Sequence, residues 1–144
     1  MQLAFELRAA AAQDFAFCWP IYRDALQPLT QELGEWREPA ERRIVELALA
    51  DAGASILQAE GADAGWLHVE ETRHLVQLRQ LYLLPTMRNR GLGTSFLGWM
   101  KERSVRKRKD LTLDVMANNP ARRLYERLGF KPLTTAGNKL TMRY

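Results

Sequence analysis

The stretch that most limits what this chain can fold into is HLVQLRQLYLLPTMRNRGLGTSFLGWMKERSVR, His74 to Arg106. Its first part, through Leu84, is a strand-like apolar run, and Pro85 stops it. Gly91 and Gly93 flank Leu92, and then Phe96, Leu97 and Met100 return at helical spacing. A strand led through a glycine turn into a helix start makes an anion site. The first N–H groups of a helix are unpaired and carry about half a positive charge of dipole. Glycine also lets an anion come close to the backbone, because no Cβ intervenes. Arg88 and Arg90 add charge at the rim. The nucleotide motifs fit poorly. A P-loop needs Lys after its last glycine, where this chain has Thr94, and a dinucleotide fingerprint needs three glycines where GLGTSF has two. A glycine turn that merely opens a helix would look the same so far.

The flanking segments set the fold class. LAFELRAA (Leu3 to Ala10) reads as a strand, and Asp14 as the cap of a helix carrying Phe15, Trp19, Tyr22 and Leu26. Pro20 is expected to kink that helix or end its first turn, and QPLTQELGEWREP reads as a loop. A second helix begins near Pro39, shows Ile44, Leu47 and Leu49 as its apolar side, and ends at Gly53. ASILQAE and AGWLHVEET are strands, as is LTLDVMA after the long helix. NPARRLYERLG is a short helix with an Asn cap, and FKPLTTAGNKLTMRY is a hairpin turning at Ala136 to Asn138. The order is strand, two helices, three strands, helix, strand, helix, two strands. It predicts one α/β (α+β) domain over residues 1–144, a mixed central sheet of about seven strands with flanking helices.

Composition excludes several classes. A chain of 144 residues, 47% hydrophobic, can build one core. Cys18 is alone, so no intrachain disulfide forms, and beside Phe17 and Trp19 it reads as a buried small hydrophobe. The N-terminus lacks a basic start and no apolar run approaches the roughly 18 residues of a membrane span, so a cytoplasmic protein is expected. The two histidines, His68 and His74, have no companions at metal-ligand spacing. The net charge is +4, with six basic residues gathered in KERSVRKRKD. That run reads first as a solvated helix end, with a phosphate ligand or nucleic acid as the alternatives. Nucleic acid is disfavoured, since neither exposed aromatics nor a recognition helix accompanies the run.

The loop and the second helix together resemble the GNAT N-acetyltransferase superfamily. LYLLPTMRNRGLGTSFL matches its Q/R-x-x-G-x-G/A segment through Arg88, Gly91 and Gly93. NNPARRLYERLGF matches its second segment through Asn118, Ala121, Tyr125, Gly129 and Phe130. The order of elements fits across nearly the whole chain, the first 60 residues in outline.

The resemblance implies acetyl-coenzyme A as co-substrate, its pyrophosphate on the backbone N–H groups of Arg88, Asn89, Arg90, Gly91, Leu92, Gly93 and Thr94. It implies that the backbone around Leu81 to Leu83 pairs with the pantetheine arm, in a gap between two splayed parallel strands. The Leu81 and Leu83 side chains can serve the core meanwhile. Asn118, a helix cap on structural grounds, would also touch pantetheine or an ordered water. Tyr125 would be the general acid that protonates the departing thiolate, and the N–H of Leu83 would hold the oxyanion. The acceptor would be a primary amine of a small molecule or a protein. Many members carry Glu early in the strand before the Pro, where this chain has Gln77. That leaves His68, Glu70, Glu71, His74 or water to take the amine's proton, and keeps a non-catalytic acyl-coenzyme A-binding module as the alternative. Arg123 and Arg127 are candidates for the 3′-phosphate. Aromatics and carboxylates in the first helices and loop, Trp36 with Glu32, Glu35 and Glu38, would form the acceptor wall. A homodimer is left open.

Overall fold

Alternating and apolar runs pair into the centre of the computed structural model, which describes residues 3–144. Strands β1 (Glu6–Ala9), β2 (Ala54–Ala59), β3 (Ala62–Glu71), β4 (Leu75–Leu83), β5 (Asp110–Met116), β6 (Lys131–Ala136) and β7 (Lys139–Arg143) form one sheet. Its order is β1-β2-β3-β4-β5-β7-β6. The neighbours pair antiparallel except β4 and β5, which run parallel. Helices α1 (Phe15–Glu32) and α2 (Glu38–Leu49) cover one face, and α3 (Leu92–Arg106) and α4 (Arg122–Arg127) the other. The expected mixed α/β sheet of seven strands with flanking helices is what forms.

Strand alternation divides the core between these faces. Val76, Leu78, Leu111, Leu113 and Val115 meet Leu92, Phe96, Leu97 and Met100 of α3, with Leu124, Tyr125 and Leu128 of α4 alongside. Ile56 and Trp66 meet Cys18, Trp19, Ile21 and Tyr22 of α1 and Val45, Ala48 and Leu49 of α2. Burial of this kind contributes about 1.5–3 kcal/mol per large side chain, which explains two departures from the sequence reading.

The first concerns α1, which runs on through Pro20 and Pro28 to Glu32, so most of the expected loop is helix. A proline inside a helix costs about 3 kcal/mol. The buried face of Cys18, Trp19, Ile21, Tyr22 and Thr30 offsets that. Pro28 is exposed, and the carbonyl it leaves free, that of exposed Asp24, is within reach of water. The second concerns α2. It buries Val45, Ala48 and Leu49, while Ile44 and Leu47 remain 41% and 54% exposed. A 3.6-residue period cannot bury all five, and the close-packed set wins.

Two further expectations shift. Asp14 stands at the start of α1 without capping it. Its carboxylate instead accepts the Ala11 N–H at 2.9 Å and Arg8 Nη2 at 2.9 Å, and Arg8 also holds Asp63. The basic run is largely consumed inside the chain. Glu71 receives Lys109 at 2.7 Å, Arg103 at 2.9 Å and Lys107 at 3.1 Å, which hold its carboxyl down at about 2. Lys101 Nζ donates to the Leu128 carbonyl at 2.7 Å and lies 4.5 Å from the Tyr144 ring centroid. These contacts fasten α3 to the sheet and to α4. No helix among the described residues is long and apolar enough to cross a membrane.

Candidate functional site

The site begins where two parallel strands part. β4 and β5 pair from Leu75↔Asp110 to Leu78↔Leu113 and no further, although β4 goes on to Leu83 and β5 to Met116. Two local causes are visible. β5 stays paired with β7 out to Met116↔Lys139, which holds its end on that side. β4 carries a bulge, since His68 faces Gln80 and Val69 faces Leu78, leaving Arg79 as the extra residue. A bulge bends its strand and sharpens the local twist.

Beyond the bulge the edge of β4 is open. Leu84 N–H donates to the Ala64 carbonyl at 2.8 Å, which fixes the alternation of the antiparallel ladder. Tyr82/Trp66 and Gln80/His68 are then the bonded pairs, and Leu81 and Leu83 turn their backbone groups toward the gap. Their side chains pack on the α3 side of the core, which leaves those backbone groups unencumbered. The Leu83 carbonyl accepts Arg88 Nε at 3.2 Å. Gly65 sits opposite Leu83, and a Cβ there would lie 2.3 Å from the Tyr82 carbonyl oxygen.

From Leu83 the chain passes a 3₁₀ turn at Pro85–Met87 and reaches α3. Gly91 is its N-cap at φ +84°, and Asn89 also has positive φ, +60°. The N–H groups of Asn89, Arg90, Gly91, Leu92, Gly93 and Thr94 donate to none of the described residues. Six successive free donors at the positive end of a helix form an anion cradle. The Arg90 side chain turns away to Glu60, at 2.7 Å, so only its backbone belongs to the cradle.

α4 lies across the gap. Its Tyr125 packs edge-on to Phe130 at 6.3 Å and lines a cleft of about 620 Å³. The Tyr125 hydroxyl bonds to none of the described residues, and burial pushes it up to about 12. Asn118 does not cap α4. The N-cap is Ala121, with no side-chain cap bond, and Asn119 Oδ1 accepts the Ala121 N–H at 2.9 Å in the turn that precedes the helix. Asn118 reaches the end of α1 instead, donating to the Leu29 carbonyl at 3.1 Å, and its buried Oδ1 has no partner among the described residues.

The cleft continues over the other face of the sheet, beneath α1 and α2. There a charged row crosses three strands. Arg79 donates to Glu70 at 3.2 Å and to Asp114 at 3.1 Å. Asp114 also accepts Gln77 Nε2 at 3.2 Å and Thr141 Oγ1 at 2.9 Å. Gln77 thus serves as a donor that helps hold a carboxylate. Of the expected proton acceptors, His68 and Glu70 line the cleft; Glu71 is held by its three cations, and His74 lies on the exposed β3–β4 turn. His68 is buried with Nε2 2.9 Å from Asp51 Oδ2, a contact that lowers the Asp51 carboxyl.

On the helical side, Tyr22 gives its O–H to Glu41, and Tyr22 and Tyr82 meet edge-on at 5.3 Å. Trp36 is not a wall of this cleft; it stacks on Trp19 at 6.1 Å. Glu35 does line it, accepting Asn138 Nδ2 at 2.9 Å. Sequence reasoning passed over Asp114, Glu41 and Arg79. Asp114 had a signal, a lone charge in the apolar strand LTLDVMA, whereas Glu41 looked like any exposed helical residue.

Residues 47–132 match a family model described as acetyltransferase (GNAT) domain. No protein of curated function matches the sequence. The fold is similar to that of the PaiA N-acetyltransferase of Thermoplasma acidophilum, solved with coenzyme A (TM-score 0.72, 17% identity, 98% of each chain covered). It is also similar to an acetyltransferase of Thermus thermophilus (TM-score 0.72, 18% identity, 99% of this chain and 97% of that one). A third likeness is to Arabidopsis thaliana NAA60, solved with a bisubstrate analogue (TM-score 0.66, 16% identity, 98% of each chain).

Proposed function

We propose, because the chain belongs to the family of GNAT acetyltransferase domains, that it moves the acetyl group of acetyl-coenzyme A to a primary amine by direct attack. The observation that carries this reading is the run of six free N–H groups, Asn89 to Thr94, set beside the open edge of β4. A pyrophosphate would lie on those donors, and the amide groups of pantetheine along Leu81 and Leu83. The thioester then falls in the gap that Tyr125 overlooks. That the PaiA protein was solved with coenzyme A accords with this assignment.

The amine attacks the acetyl carbonyl, forming the C–N bond, and the Leu83 N–H stabilises the oxyanion. The C–S bond breaks, and Tyr125 gives its proton to the sulfur, while the proton lost by the new amide nitrogen restores the Tyr125 phenol. With its hydroxyl pushed up to about 12, Tyr125 remains an O–H donor through the range in which alkylamines become neutral. The amine must first lose a proton. We assign its acceptance to His68, working through water: Asp51 holds Nε2, and Nδ1 has no partner among the described residues.

Tyr125→Phe tests the scheme. Turnover, followed as released thiol, is expected to fall at least thirtyfold while the affinity for acetyl-coenzyme A stays within threefold. In the wild type, kcat should show no alkaline fall below about pH 11 that Tyr125→Phe removes, since a phenol raised to about 12 is still protonated there. Unchanged turnover in Tyr125→Phe would end the general-acid role.

A further inference from the structure

The acceptor half of the cleft has a chemistry of its own. Four carboxylates line it, Glu35, Glu41, Glu70 and Asp114, against two cations, Arg79 and Lys139. Arg79 is already shared between Glu70 and Asp114. Glu41 pairs with no cation among the described residues; its one partner is the Tyr22 hydroxyl. On the same helix, one and two turns further on, Ile44 and Leu47 stand exposed on the cleft wall. A helix rises about 1.5 Å per residue, so these side chains lie roughly 5 Å and 9 Å along α2 from Glu41. Two neighbouring apolar side chains left exposed on the wall of a cleft form a surface that an apolar ligand would cover.

We infer that the acceptor is a monoamine with a sizeable apolar body, an arylalkylamine. Glu41 receives its ammonium, and Ile44 and Leu47 cover its hydrocarbon part. This rests on the acetyl-transfer reading and narrows its substrate class. A polyamine fits the same cleft worse, because a second ammonium reaching along α2 would lie against Ile44 and Leu47. Charge complementarity selects the cation, and the apolar pair selects among cations. Each methylene fully removed from water is worth about a fourfold gain in affinity.

Titration calorimetry tests this, with 2-phenylethylamine, ethylamine and spermidine, each run with and without coenzyme A. 2-Phenylethylamine should bind at least tenfold more tightly than ethylamine and more tightly than spermidine. Leu47→Lys and Glu41→Gln should each weaken it at least tenfold. Val105→Lys, on an exposed residue of α3 outside the cleft, should leave it unchanged. Tighter binding of spermidine, or no effect of Leu47→Lys, would overturn the inference. So would a dimer in sedimentation that Leu47→Lys dissociates while amine affinity holds, since a second copy would then be what covers α2. A coenzyme A titration on the same samples reads the transfer scheme separately. Failure to bind coenzyme A with amine preference intact removes the transfer reading, and the reverse pattern removes only the acceptor class.

Discussion

Gly91 offers the sharpest test of the anion cradle, because strain and charge can be separated there. It caps α3 at φ +84°, in the left-handed region. Gly91→Ala places a Cβ on that backbone, which costs about 1–2 kcal/mol. Unfolding entropy near 2.1 cal/mol/K per residue gives roughly 0.3 kcal/mol/K for a chain of this length, so the melting point should fall by about 3–7 °C. Gly91→Glu adds the same strain and also sets a carboxylate among the free donors of Asn89 to Thr94. Opposing a phosphate charge at about 5 Å in an effective dielectric of about 20, it is worth roughly 3 kcal/mol, a loss beyond a hundredfold. Acetyl-coenzyme A at about a hundred times its wild-type dissociation constant contributes ~2.7 kcal/mol, or about 9 °C. Gly91→Ala should keep most of that shift from its lower starting point. Gly91→Glu at the same ligand concentration should retain about 0.4 kcal/mol, near 1 °C. The assay is a thermal melt of the three proteins with and without ligand. If Gly91→Glu shifted as far as wild type, the cradle would not hold the phosphates.

Three other perturbations follow from particular contacts. Gly65→Ala puts a Cβ 2.3 Å from the Tyr82 carbonyl oxygen and 2.9 Å from Leu83 Cδ2. Moving β4 to make room should cost about 3 kcal/mol, or roughly 10 °C in a melt; a change under 2 °C would refute the close approach. Glu71, held down at about 2 by Lys109, Arg103 and Lys107, stabilises the fold fully above its unfolded value near 4.5 and loses that contribution as pH falls toward 2. With the side chain 26% exposed, screening leaves about 1 kcal/mol. Glu71→Gln should therefore lower stability by that amount at pH 7 and flatten the acid limb between pH 4.5 and 2 in urea titrations. Arg90→Ala removes an exposed pair with Glu60 and the Nη1 contact to Met87 Sδ at 3.3 Å, and keeps the backbone N–H. Its affinity for acetyl-coenzyme A should stay within threefold, and a tenfold loss would mean that the side chain turns to the phosphates.

The open helix start was legible because it is local. Gly91, the glycine-flanked Leu92 and the returning helical period all lie within a dozen residues, and the physics of a helix start needs no distant partner. The mixed sheet of about seven strands was legible through the order of elements, and the resemblance singled out Tyr125, which lines the cleft. What the chain hid was phase. Val45, Ala48 and Leu49 compete with Ile44 and Leu47 for the core, and only the surface of Ile56, Trp66 and Cys18 decides between them. Pro28 misled for a similar reason, since a helix anchored by Cys18, Trp19, Ile21 and Tyr22 tolerates a break on its wet side.

The gap between β4 and β5 shows why the remainder needed three dimensions. No residue at Leu78 or Leu113 forbids further pairing, and both flanking runs are good strand. The strands part because β7 holds β5 through Met116, while the Arg79 bulge turns β4 along β3. The same bulge brings Arg79 to Glu70 and Asp114, so the charged row and the open edge share one cause. A chain with Arg79 deleted would restore regular register between β3 and β4. It should then lose the ion pairs and the free backbone of Leu81 and Leu83 together, which ties the two halves of the cleft to a single inserted residue.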